Sequence, residues 1–167
     1  GAMPTKEKAK EQQHQHGRQL TESVKNTLAT VQAIMGSTMR VSATMEEFQQ
    51  AFIGRVAALS KTHSLLTEDK DQLVSFKVLL CNELDPFDDG QDRVRLDGRE
   101  VMLPAHLAVP IGMAVHELTT NAAKSGALSI MGGSLTVQWH ESAGRLGVTW
   151  HEKNGPEPQP PETPGVG

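Results

Sequence analysis

Along the first third of the chain, apolar residues return every three or four positions. Leu20, Val24, Leu28, Val31 and Met35 follow at intervals of four, four, three and four, the repeat that keeps side chains on one face of a helix. Only Gly17 and Gly36 interrupt a stretch from Lys6 to Met39 rich in Glu, Gln, Lys and Ala, so it predicts one long helix. After a break at Val41-Ser42-Ala43-Thr44, the residues Phe48, Phe52, Val56, Leu59 and His63 repeat the same spacing. Thr44 with Glu47 three residues on is a capping-box pattern at the start of this second helix. Two amphipathic helices joined by a short link predict an antiparallel hairpin. It is either a plain structural hairpin or half of a four-helix bundle, because each narrow stripe leaves apolar surface that a second copy would cover.

The pattern changes after Leu66. Residues 69 to 90 combine a short apolar run, Leu73 to Leu80, with an acidic turn at Pro86-Phe87-Asp88-Asp89-Gly90, and read as a linker into a second domain. Two short strands are predicted at Arg93 to Gly98 and Val101 to Leu103. A helix follows from Pro104 to Lys124, with Leu107, Ile111, Val115 and Leu118 on its inner side and Gly126 as its stop. Ser134 to Trp139 and Arg145 to Trp150 alternate cleanly about a turn at Ala143-Gly144, which predicts a hairpin with one buried face. Beyond Lys153 the Pro, Glu and Gly composition predicts a segment that packs no core. The fold class expected is α+β: a scar and flexible start over residues 1–10, a helical hairpin over 11–68, and an α/β layer over 69–167.

Composition narrows the function classes. The chain has 167 residues, 37% of them hydrophobic, enough for one ordinary domain or two small ones. Gly1-Ala2-Met3 reads as a cleavage scar of recombinant expression. No stretch reaches the roughly 20 apolar residues of a membrane-spanning helix, and no signal-peptide layout opens the chain, so no membrane contact is expected of this segment. One cysteine, Cys81, and seven methionines fit a reducing compartment, and a cytoplasmic location is expected. A net charge of -4, with both signs interspersed, argues against nucleic acid as partner.

The chemistry is concentrated in His116-Glu117-Leu118-Thr119-Thr120-Asn121-Ala122-Ala123-Lys124. Glu117, Asn121 and Lys124 stand four and three apart, on one helical face. A carboxylate, an amide and an ammonium so aligned suit a magnesium ion and the phosphates attached to it; they equally suit a solvated polar stripe.

The string His116-Glu117-Leu118, with Thr120-Asn121-Ala122-Ala123-Lys124 and Gly126-Ala127-Leu128-Ser129, resembles the N box of the HWE-type sensor histidine kinases. Trp150-His151-Glu152 resembles the Trp-x-Glu signature of that subgroup, and Asn154-Gly155-Pro156 the glycine-rich turn after it. Upstream, Val24 to Ile34 resembles the start of the family's dimerisation and phosphoacceptor helix. Phe52, Arg55, Ala58, Leu59, His63, Leu65 and Leu66 are similar to its second helix. The four motifs fall in the family's order between about Leu20 and Gly167.

The resemblance implies a helical hairpin followed by an ATP-binding α/β sandwich of the Bergerat (GHKL) type. It implies bacterial two-component signalling, with ATP and Mg2+ as cofactors, a response-regulator receiver domain as partner and a homodimer through the hairpin. Asn121 matches the magnesium-coordinating asparagine, and Glu117 the acidic position that activates the phosphate acceptor. His116 and Lys124 line the phosphate side, and Glu152 matches the residue that reads the adenine amino group. Gly155 belongs to the first glycine box, and Gly165 and Gly167 to the opening of the second. His116 is alternatively a packing residue at a helix-sheet contact, and Trp150 reads as core.

Three departures from the family follow. Glu22-Ser23-Val24-Lys25-Asn26 stands where the family carries His-Arg-Val-Lys-Asn, so the degenerate acceptor position is Glu22, and a carboxylate cannot form the phosphoramidate of an acceptor histidine. His14 and His16 lie off the acceptor's place on the helix, and His63 matches a histidine of the second helix. Ser125 stands where tyrosine is usual and Asn154 where glycine is, which points to looser nucleotide binding. The second glycine box opens at Gly165 and the family's lid is expected to be incomplete. Two functions remain: a kinase core that binds Mg-ATP without phosphorylating itself at the usual site, and a pseudokinase-like scaffold that dimerises or docks a response regulator.

Overall fold

The computed structural model describes residues 3–157. Among them are four α-helices and two small sheets, a mixed α and β architecture. By packing, the chain divides into two compact units, Gly1–Ala57 and Ala58–Gly167. The division falls inside the second helix rather than at its end.

In the first unit, α1 runs Met3–Val41 and α2 begins at Met45. The expected flexible start gives way to helix from Met3, because Lys, Glu, Ala and Gln propagate helix at little cost. The capping box forms: the Glu47 N–H donates to Thr44 Oγ1 at 3.1 Å, and Glu47 Oε2 accepts from the Ala43 N–H at 2.9 Å. Phe48 and Phe52, one turn apart, stack at 5.5 Å. The buried residues of α1 are Ile34 and Thr38, and Arg55 reaches back to donate to Thr38 Oγ1. The predicted stripe, by contrast, is outside. Leu20, Val24, Leu28 and Met35 are each more than two-fifths exposed, and Met39 extends the row.

The second unit opens with the remainder of α2, which ends at Glu68 and buries Ala58, Leu59, Thr62 and Leu66. The segment expected to be a linker is instead core. Leu73–Ser75 forms β1, and Phe76–Leu84 forms α3 with Phe76, Leu79, Leu80 and Leu84 buried. An apolar run of eight residues has no readable period, and the switch from strand to helix rests on Ser75, whose Oγ accepts from the Val78 N–H at 3.3 Å as an N-cap. Leu66, Phe76, Leu80 and Leu84 share one core cluster with Val115, Leu135, Val137 and Trp139. Phe76 meets Trp139 edge to face at 5.2 Å.

Strand β2 spans Val94–Asp97, and β3, Met102–Pro104, pairs antiparallel with β1. Helix α4 spans Ala105–Ser125. Its buried residues are Ala108, Gly112, Val115, Thr119 and Ala122, whereas Leu107 and Leu118 of the predicted inner side are exposed. Small side chains face inward because the neighbours come close: a Cβ on Gly112 would stand 2.7 Å from Thr62 Oγ1 and 3.8 Å from Leu79. Strands β4, Ser134–Ser142, and β5, Arg145–Lys153, form the predicted hairpin. Ala143 and Gly144 both take positive φ, 52° and 72°, as a two-residue turn of mirror-image type requires. Strand β2 lies parallel to β4 on its other side, giving the order β2-β4-β5. Leu135, Val137 and Trp139 point into the core, and Trp150 packs against it half-buried.

A Cβ on Gly133, just before β4, would collide with the backbone carbonyl of Ala127. Since backbone cannot yield as a side-chain tip can, Gly133→Ala is expected to cost about 2–3 kcal/mol, read as a lower urea midpoint at unchanged slope. A midpoint within error of the parent would contradict that packing.

Candidate functional site

Helix α4 carries four of the residues singled out in the sequence. Asn121 and Lys124 are exposed, and Glu117 is half-buried one turn before Asn121. His116 is partly buried, its Nδ1 3.0 Å from Glu83 Oε2 on α3. An ionised carboxylate only accepts, so this contact puts a proton on Nδ1 and fixes the ring's orientation. No motif pointed to Glu83, and only the packing of α3 against α4 brings it to the histidine.

Glu152 belongs to β5, at the far end of the sequence motif, yet it meets the end of α4. The helix closes at Gly126, whose N–H donates to the Asn121 and Ala122 carbonyls at 3.1 Å. A short 3-10 turn, Ala127–Ser129, follows. Glu152 Oε1 accepts from the Ala127 N–H at 3.0 Å, and Oε2 accepts from the Trp150 indole N–H at 3.3 Å. Gly155 lies against the same place, since a Cβ there would stand 3.1 Å from the Ala127 nitrogen. The helix that presents Asn121 and the strand that presents Glu152 are thus tied through one amide. Between them, Asn154 takes a left-handed φ of 56°, a conformation that asparagine tolerates better than most residues. The exchange of glycine for asparagine there is therefore conformationally mild. Ser125 donates its hydroxyl to the Asn121 carbonyl at 3.3 Å.

The donor set suits magnesium in chemistry. Asn121 and Glu117 offer oxygen atoms one turn apart, and this ion commonly takes one or two protein ligands together with phosphate oxygens and water. Among the described residues no group of three His, Cys, Asp or Glu gathers as for a softer metal. Cys81 sits on α3, where burial first and then Asp85 push its thiol above the usual range, so it is a poor nucleophile. Glu22 is an exposed residue of α1. Gly165 and Gly167 lie outside the described residues.

Two comparisons bear on this arrangement. Residues 20–100 match the family HWE histidine kinase. That span holds the hairpin from Leu20 and the chain through β2, upstream of the N box. The chain is also similar to blue-light-activated histidine kinase 1 of Erythrobacter litoralis, at 31% identity over 134 residues, covering 78% of this chain and 37% of the relative. It is 29% identical over 155 residues to the blue-light-activated histidine kinases of Brucella ovis and Brucella melitensis, covering 90% of this chain and 32% of each relative. These likenesses support an HWE-type histidine kinase. The chain spans about a third of the length of these curated relatives. Among the described residues no helix is long and apolar enough to cross a membrane.

Proposed function

We propose that this chain is the core of an HWE-type histidine kinase in bacterial two-component signalling, that it binds Mg-ATP, and that it does not phosphorylate itself at the usual position. The observation that carries this reading is the bond from the Ala127 N–H to Glu152, which sets the end of the N-box helix beside the Trp-x-Glu strand. In this reading the second unit is a Bergerat-type nucleotide domain. Asn121 holds magnesium, with Glu117 beside it, and the bound ion offsets phosphate charge. Lys124 donates to phosphate oxygens, His116 lines the phosphate side with its ring held by Glu83, and Glu152 accepts from the adenine amino group. Charge-assisted bonds of this kind are the strong ones, which is how a partly open site can retain a nucleotide. Gly155 lets backbone approach the ligand; Gly165 and Gly167 are assigned to the same site from the sequence resemblance alone.

Glu22 favours a second reading. If the acceptor position carries a carboxylate, the hairpin dimerises or docks a receiver domain, while the degenerate ATP domain acts as a scaffold or nucleotide sensor. Dimerisation is supported in either reading by the row Leu20, Val24, Leu28, Met35 and Met39, left exposed along α1. A contiguous apolar surface of that kind marks an interaction site. A response regulator as partner and a cytoplasmic setting belong to the same proposal.

Titration calorimetry with a non-hydrolysable ATP analogue and magnesium tests it. Binding is expected for the parent chain, with a loss of at least about tenfold in Asn121→Ala, since removing a charge-linked ligand costs about 1.5–3 kcal/mol. No heat from either chain would leave the scaffold reading.

A further inference from the structure

The loop from Gly126 to Gly133 joins α4 to β4, and it contains the amide that holds Glu152. Its own anchor is a residue that no motif marked. Arg93 stands immediately before β2, where its backbone carbonyl accepts from the Leu135 N–H at 2.8 Å, continuing the parallel pairing with β4. From that fixed base its guanidinium donates to three carbonyls of the loop. Nε donates to Gly133 at 3.0 Å, and Nη2 to Ala127 at 3.3 Å and to Ile130. A planar fork with five N–H groups can span three carbonyls, which an ammonium cannot do. The cation also lies just past the C-terminal end of α4, where the helix dipole favours it.

Ala127 is therefore held from both sides of its residue. Its carbonyl accepts from Arg93, and its N–H donates to Glu152. Three glycines leave the room for this arrangement. A Cβ on Gly126 would collide with Glu152, one on Gly133 with the Ala127 carbonyl, and one on Gly155 would press on the Ala127 nitrogen. Any freedom in the loop is passed directly to the Glu152 carboxylate.

We infer that Arg93 is a positioning residue for Glu152: by clasping the Ala127, Ile130 and Gly133 carbonyls it fixes the amide that aims the carboxylate, and so sets preference for an adenine base. The consequence for the base rests on the nucleotide reading above; the coupling of Arg93 to Glu152 does not. A site that accepts from one amine rejects a base lacking it only while its acceptor is held in place.

The chain offers a direct readout, because it has two tryptophans. The Trp150 indole N–H donates to Glu152, whereas that of Trp139 donates to the Arg99 carbonyl at 2.8 Å, away from the loop. In a nitrogen–proton correlation spectrum, Arg93→Met is expected to move the Trp150 indole signal toward its place in Glu152→Ala and leave the Trp139 signal where it is. Arg93→Lys should move it part of the way, and it serves if Arg93→Met fails to fold. In calorimetry the preference for an ATP over a GTP analogue should fall by about tenfold, with affinity for magnesium tripolyphosphate kept within about twofold. A Trp150 signal that stays in place, or a Trp139 signal that moves equally, would overturn the positioning role. An undiminished adenine preference would overturn its consequence. If the parent chain binds no nucleotide, the nucleotide reading falls with the base preference, and the two indole signals still decide whether Arg93 holds Glu152.

Discussion

Phe76→Ala is expected to lower the unfolding free energy of the second unit by about 3–5 kcal/mol, a large share of the 5–15 kcal/mol typical of a folded domain. Phe76 is 2% exposed and meets Trp139 edge to face, so truncation removes both buried area and an aromatic pair worth about 0.5–1.5 kcal/mol beyond it. Its backbone N–H donates to the Val101 carbonyl at 2.9 Å, and that bond survives the change. The cost therefore reports side-chain packing alone. Both tryptophans lie in this unit, so urea unfolding followed by their fluorescence reports on it rather than on the first unit. Val78→Ala is the control, because Val78 is 39% exposed on the same helix and should lose less than about 1 kcal/mol. Equal losses in the two variants would mean that α3 is not the core element described.

The second large effect is a gain. With Glu22→His and Ser23→Arg together, incubation with labelled Mg-ATP is expected to raise phosphate incorporation from background to a clear signal, stable in base and labile in acid as a phosphoramidate is. Imidazole provides a nucleophilic nitrogen that the carboxylate lacks. Glu22 is exposed on α1, so the exchange disturbs no packing and circular dichroism should be unchanged. Continued silence in a variant that still binds the ATP analogue would move the defect from the acceptor to the nucleotide domain and favour the scaffold.

Much of the architecture was legible before any coordinates. The long helix, the capping box at Thr44 and Glu47, the β4–β5 hairpin with its Ala143-Gly144 turn, and a helix over the N box follow from local rules that act within a few residues. Such rules need no knowledge of what lies across the core. The errors have a common source. Leu73 to Leu80 was expected in a linker because a run that changes from strand to helix at Ser75 shows no single period. The inner side of α4 was expected to carry Leu107, Ile111, Val115 and Leu118; Val115 is buried, but Leu107 and Leu118 are exposed, and Gly112 faces inward where Thr62 of α2 and Leu79 of α3 come too close for leucine. Size at a contact is set by the partner, and the partner is remote in sequence.

The same division runs through the candidate site. The sequence by itself determined which residue types are present on α4 and at the end of β5, and their resemblance to one family, because a motif is a local string. Tertiary structure alone decided that Glu83 meets His116 and that Ala127 joins Glu152. It also decided that Arg93, 40 residues before Gly133 in the chain, closes the loop between them. Hydrogen bonds between elements depend on how helices and strands pack in three dimensions, and no spacing along the chain encodes which carbonyl a distant guanidinium will reach.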